Sequence, residues 1–121
     1  MNNWDTTWIG LKMYKPHLWM VIKLNEGNPD AKVYYRVLGS WRGGYLDGDS
    51  WRLNSGITKA VEDGDYIQFH GASGSIYECR KSAYGSSPYA TNVLSQLMEK
   101  QPELNIQIMD ESTNFLELNY E

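Results

Sequence analysis

Leu18-Trp19-Met20-Val21-Ile22-Lys23-Leu24 is a near-continuous apolar run of strand length, and Lys32-Val33-Tyr34-Tyr35-Arg36-Val37-Leu38 is a second β-rich run. Between them stands Asn25-Glu26-Gly27-Asn28-Pro29-Asp30. Its Gly and Pro punctuate a polar stretch that neither a strand nor a helix continues through. Two such runs joined by such a loop form a hairpin. Upstream, Thr7 to Tyr14 reads as a further strand, broken at Lys15-Pro16-His17 because Pro lacks a donor and constrains the residue before it.

Downstream, Gly39 to Asp49 holds four Gly, two Asp and the Trp41-Arg42 pair, which predicts an irregular surface loop. Ser50 to Val61 resumes extended structure. Asp63-Gly64 is a tight-turn dipeptide, since Gly accepts the positive φ the turn requires. Tyr66 to His70 is the return strand, with Ile67 and Phe69 on one face and Tyr66, Gln68 and His70 on the other. Gly71-Ala72-Ser73-Gly74 turns the chain again into a strand at Ser75 to Cys79. Residues 50–80 are therefore expected to form a three-stranded antiparallel meander.

Ser82 to Ser87 is a polar loop. Ser87 suits the cap of a helix and Pro88 its first position. Val93, Leu94, Leu97 and Met98 then recur at helical spacing, and Pro102 ends the element. Asn105 to Met109 alternates like a half-buried strand. Asp110 or Ser112 is placed to cap a short final helical turn through Phe115, Leu116 and Leu118. The expected fold class is α+β: an antiparallel β-sheet, built as a meander of hairpins, packed with one main helix in the C-terminal half and a short final helical turn. At 121 residues the chain fits one domain, 1–121.

The formal net charge of −4 argues against a polynucleotide-coating surface, which requires clustered Lys and Arg. It leaves room for a small anionic ligand, because one or two Arg in a pocket suffice for a phosphate. Five Trp and nine Tyr are many for this length; packing accounts for most of them, and the remainder are platforms for rings. Cys79 is the only cysteine, so no intrachain disulfide forms. No secretory leader pattern opens the sequence, and no apolar run is long enough to span a bilayer. A cytoplasmic protein without a membrane partner is expected.

The search for catalytic chemistry returns little. Cys79 lacks a neighbouring base, since His70 pairs near Ser75 on the adjacent strand, and it reads as a small core residue. Two His and one Cys without ligand spacing predict no metal site. Asp47-Gly48-Asp49 and Asp63-Gly64-Asp65 lack the remaining ligands of a calcium loop and read as turns. No cofactor is implied. Gly71 to Ser75 is either a plain hairpin turn or a short nest of backbone N–H groups for an anion.

Two stretches carry more. In Ser50-Trp51-Arg52-Leu53-Asn54-Ser55-Gly56-Ile57, a strand would put Arg52 and Asn54 on one face. A bidentate cation would then stand beside an amide able to read a base or ribose edge, followed by the compact Ser55 and Gly56. The alternative is a core Trp51, a surface Arg52 and a bulged turn. In Tyr84-Gly85-Ser86-Ser87-Pro88-Tyr89, free N–H groups and the Ser87 hydroxyl at a helix start form an anion site beside two Tyr rings, with Arg80-Lys81 just before. The alternative there is simple capping.

These motifs, with Phe69-His70-Gly71-Ala72-Ser73-Gly74-Ser75-Ile76-Tyr77-Glu78-Cys79, Val93-Leu94 and the ending Asp110 to Tyr120, resemble the Thoeris anti-defence proteins of the first-described type from bacteriophages. The resemblance covers residues 50–121; residues 1–45 take no part in it, and Pro88 departs from it. It implies a protein that binds cyclic ADP-ribose isomers, in some members also cyclic oligonucleotides. Such a protein sequesters an immune signal in the host cell cytoplasm without turning it over, and works as a homodimer or higher homo-oligomer. By that resemblance Trp51 and Tyr84 or Tyr89 would stack on adenine. Arg52 and Arg80 would contact phosphate, and Asn54 and Ser55 would hydrogen-bond ribose or base. Two rivals differ in class. A small acidic inhibitor would cover a host protein through Asp47, Asp49, Asp63 and Asp65. An enzyme on the same nucleotides would need His17, His70 or a carboxylate as its base.

Overall fold

The computed structural model describes residues 12–25, 32–43 and 50–120. The first hairpin forms as expected: β2 (Leu18–Asn25) pairs antiparallel with β3 (Val33–Trp41), Val21 opposite Val37 and Met20 opposite Leu38. Gly39, Ser40 and Trp41 belong to β3 rather than to a loop; the hairpin register carries them to Ser40 opposite Leu18. The loop residues 26–31 and 44–49 lie outside the described residues, as does the Thr7–Leu11 part of the expected first strand. What is described of that strand is β1 (Met13–Tyr14), which runs parallel to β7 (Ile76–Arg80).

The structure is α+β, with two four-stranded sheets where a single meander was expected. One sheet has the order β1-β7-β6-β5, with β5 (Ile57–Asp63), β6 (Tyr66–Gly71) and β7 as the antiparallel meander. The other has the order β4-β3-β2-β8, with β4 (Ser50–Leu53) antiparallel to β3 and the short β8 (Gln107–Ile108) antiparallel to β2. Ser50 to Val61 is therefore not one strand. It leaves the second sheet after Leu53 and enters the first at Ile57. Gly56 makes this possible with a φ of 124°, a conformation that costs other residues about 1–3 kcal/mol.

The apolar run in β2 follows from this layering. Trp19 and Val21 point into a core with Val37, Ile57, Phe69, Tyr77, Cys79 and Phe115, between the two sheets. Met20, Ile22 and Leu24 point the other way, into a second core with Leu38, Ala90, Leu94 and Ile106, beneath helix α1 (Pro88–Lys100). A strand covered on both faces has no polar alternation to show. Each such side chain contributes about 1.5–3 kcal/mol through burial, so this strand anchors both cores. Trp19 is its pivot: its indole N–H donates to the Arg80 carbonyl at 2.6 Å while its ring meets Tyr84 and Phe115 edge-on.

Ser87 caps α1 as expected, its hydroxyl accepting from Ala90 N–H at 3.1 Å, with Pro88 in the first turn. The final helical turn does not form. Residues 110–118 are successive reverse turns, closed by Thr113 N–H to Asp110 and Glu117 N–H to Asn114. Phe115 is drawn inward between the rings of Tyr84, Trp19 and Phe69, and that pull replaces a helical course.

Candidate ligand cleft

The nine expected ligand residues do not converge on one cavity. Four of them line three described clefts that share no lining residue, Ser55 and Gly56 one, Tyr84 another and Arg80 a third, and Trp51, Arg52, Asn54, Ser87 and Tyr89 line none of the three. The reason is the register of β4. Trp51 lies opposite Ser40 and Arg52 opposite Gly39, so the two side chains point to opposite faces of the sheet. Trp51 is 37% exposed. Arg52 lies over the Tyr14 ring, 4.7 Å from its centroid, on the side facing the other sheet.

Asn54 is not free to meet a ligand beside Arg52. It is only 3% exposed, and its Oδ1 accepts from Val37 N–H at 2.8 Å and Gly56 N–H at 3.4 Å. It is a structural tie. Tyr84 is likewise part of the fold: its hydroxyl donates to the Met109 carbonyl and accepts from Val21 N–H, and its ring stacks on Phe115. Ser87 is buried and committed to its cap. Capping is thus its whole observed role. Tyr89 is 48% exposed on α1. The Gly71–Ser75 stretch is a plain turn: Gly71, Ala72, Ser73 and Gly74 all donate their N–H groups within the protein.

The cleft holding Ser55 and Gly56 encloses about 290 Å³ and is completed by Leu24, Tyr34, Arg36 and Leu104. Each part has a local cause. In β3, Tyr34 and Arg36 share a face with Leu38, which packs under α1, while Tyr35 and Val37 face the other sheet. Tyr34 and Arg36 thus stand where the helix no longer covers the sheet. Leu104 closes one wall from the 3-10 turn Pro102–Leu104 after α1. Ser55 and Gly56 close another from the crossover between the sheets.

Arg36 is partly buried as a residue, and its guanidinium has no carboxylate within ion-pair distance among the described residues. Lys32 Nζ stands 5.4 Å from the centroid of the Tyr34 ring. Ser55 Oγ donates to Ser73 Oγ at 3.1 Å and accepts from Ser73 N–H at 2.9 Å. The arrangement offers a planar cation, an aromatic face and two apolar walls. It can hold an anion attached to a ring.

Arg36, Tyr34 and Lys32 were not among the expected site residues. The signal was present: Lys32, Tyr34 and Arg36 alternate with Val33, Tyr35 and Val37, so one face of this run is cationic and aromatic. Asp63 and Asp65 are exposed around the β5–β6 turn, and Asp47 and Asp49 lie outside the described residues. Among the described residues no three His, Cys, Asp or Glu are grouped to hold a metal ion, and no helix is long and apolar enough to cross a membrane. No family model, curated protein or solved structure matches the chain.

Proposed function

We propose that the protein binds a nucleotide-type anion in the Arg36 cleft and retains it without turnover. The observation that carries this reading is Arg36 itself, a partly buried arginine without a carboxylate partner among the described residues, lining the same cleft as the Tyr34 ring. Burying a cation is costly unless something pairs with it, and a phosphate would do so with charge-assisted bonds of about 1.5–3 kcal/mol. A base on the Tyr34 face would add about 1–3 kcal/mol. Leu24 and Leu104 would take the sugar or the remaining base edge.

The specific ligand we propose is a cyclic nucleotide immune signal, a cyclic ADP-ribose isomer or a cyclic oligonucleotide, met in the host cell cytoplasm. The resemblance of residues 50–121 to Thoeris anti-defence proteins favours it. Sequestration of a signal demands nanomolar affinity, about −12 kcal/mol. The contacts above fall short of that once ordering costs are counted. The cleft, at about 290 Å³, is sized for one nucleotide unit at the lower end of small-molecule sites. A second copy of the chain closing over the remainder of the ligand would supply the rest, so the working unit is a homodimer.

The test is calorimetry of the full chain against cyclic ADP-ribose isomers and cyclic di- and trinucleotides, followed by heat denaturation. Intact ligand released on heating supports retention. A new product would make the protein an enzyme, and absence of binding would leave the acidic inhibitor. Arg36→Gln is expected to weaken binding roughly 10- to 100-fold. Unchanged affinity in that variant would overturn the site.

A further inference from the structure

We propose that a second cleft, between the β1–β2 turn and the outer face of β6 and β7, is an independent anion site for the phosphate of a small phosphomonoester. It encloses about 360 Å³, and Lys15, Pro16, His17, Tyr66, Glu78 and Arg80 line it. It shares no lining residue with the Arg36 cleft.

The charge balance comes first. Glu78 is the one carboxylate among the described lining residues. It is already engaged, by Lys15 Nζ at 4.0 Å and by Gln68 Nε2 at 3.2 Å. Arg80 makes no ion pair among the described residues. Lys15 is the partner of that carboxylate, so on a chain of net charge −4 Arg80 is the cation of this cleft left without an ion pair among the described residues.

The hydrogen-bonding capacity has the same sign. His17 Nδ1 accepts the Arg42 N–H at 2.8 Å, so Nε2 is the nitrogen left to carry a proton and donate. Lys15 and Arg80 carry donors only. Pro16, buried in the same turn, has no N–H of its own. Apart from the partnered Glu78 carboxylate, the polar side chains of the cleft carry donors, which favours an acceptor-rich oxyanion at the Arg80 end.

Arg80 is also held in place before any ligand arrives. It stands opposite Tyr66 across the β6–β7 ladder; Nη2 donates to the Tyr66 hydroxyl at 2.8 Å, and the guanidinium carbon lies 5.2 Å from the ring centroid. Its carbonyl is fixed by the Trp19 indole. A guanidinium fixed in this way loses less freedom when it grips a phosphate. A bare phosphate would leave most of the volume empty, whereas the sugar of a phosphomonoester would fill it against Tyr66.

Amide-resolved NMR titration of the full chain with ribose 5-phosphate and with inorganic phosphate tests this. Saturable shifts are expected at His17, Arg80 and their neighbours, distinct from any at Ser55 and Gly56, so this site and the nucleotide cleft succeed or fail separately. Arg80→Gln should weaken ribose 5-phosphate binding about tenfold or more, Arg80→Lys should restore only part, and the exposed Lys15→Gln should weaken it a few-fold. Inorganic phosphate should bind more weakly than the ester. Shifts that never saturate, or affinities unchanged in both Arg80→Gln and Lys15→Gln, would overturn the site. Equal affinity for the two probes would overturn its assignment to an ester.

Discussion

The Val37 N–H donates to Asn54 Oδ1 at 2.8 Å, at the point where the chain leaves one sheet for the other. Both groups are buried. The Asn54 N–H in turn donates to the Val37 carbonyl at 3.0 Å, so the side chain and backbone of one residue complete the edge of β3 beyond the end of β4. Asn54→Ala leaves the Val37 N–H without an acceptor and is expected to cost about 1–3 kcal/mol in urea unfolding. Asn54→Asp keeps the acceptor but buries a carboxylate. Burial raises that group's pKa, so its penalty should be small in acid and grow as pH rises. Equal stability of the two variants at every pH would contradict this role.

Tyr84 and Ser87 are tied into the fold rather than into a ligand site. Tyr84→Phe removes the acceptor of Val21 N–H and the donor to the Met109 carbonyl, for an expected loss of about 1–3 kcal/mol. Ser87→Ala removes the helix cap, for about 0.5–2 kcal/mol. Thermal unfolding should register both losses. Nucleotide affinity, measured well below the melting transition, should stay at the wild-type value in both.

The strands, the turns and the cap of α1 were legible because each depends on neighbours in sequence. Asp63-Gly64 is an example: Gly64 takes a φ of 58°, as that turn requires. Legibility ended where a residue's role depends on a distant partner. The spacing of Arg52 and Asn54 is legible, but that the Asn54 amide is consumed inside the fold depends on Val37, whose N–H donates to its Oδ1. The split into two sheets had a trace in the uninterrupted apolar run of β2, which has two faces to bury. The proposed cleft followed the same rule. Ser55 and Gly56, expected from local chemistry, line it. Arg36 was missed because its significance lies in the end of α1 and in Leu104, both remote in sequence.

Cys79 is fully buried between the sheets, and its Sγ contacts the Tyr77 carbonyl at 3.7 Å. Burial pushes its thiol well above the usual range, and the Glu78 charge adds to the shift. Thiolate is the reactive form, so the native protein should react with an aromatic disulfide reagent only as fast as it opens. The rate should rise with denaturant in step with unfolding. Rapid stoichiometric reaction in native buffer would place the thiol elsewhere.

Tyr77 supplies the pH prediction. Burial, partly opposed by Arg52, pushes its pKa from 10.0 up to about 12, and burial likewise raises Tyr84 and Tyr120. In each case the folded state favours the neutral phenol. The resulting stability is fully present below pH 10.0 and is lost as pH rises through about 12. The melting temperature should therefore fall across that window, with the β-sheet circular dichroism signal lost as the buried phenols ionise. Tyr77→Phe should match wild type at neutral pH, since no hydrogen bond of its hydroxyl is found among the described residues, and should reduce the alkaline fall. A melting temperature that stays constant across the window, or a Tyr77→Phe variant that falls as steeply as wild type, would show that this phenol ionises without cost to the fold.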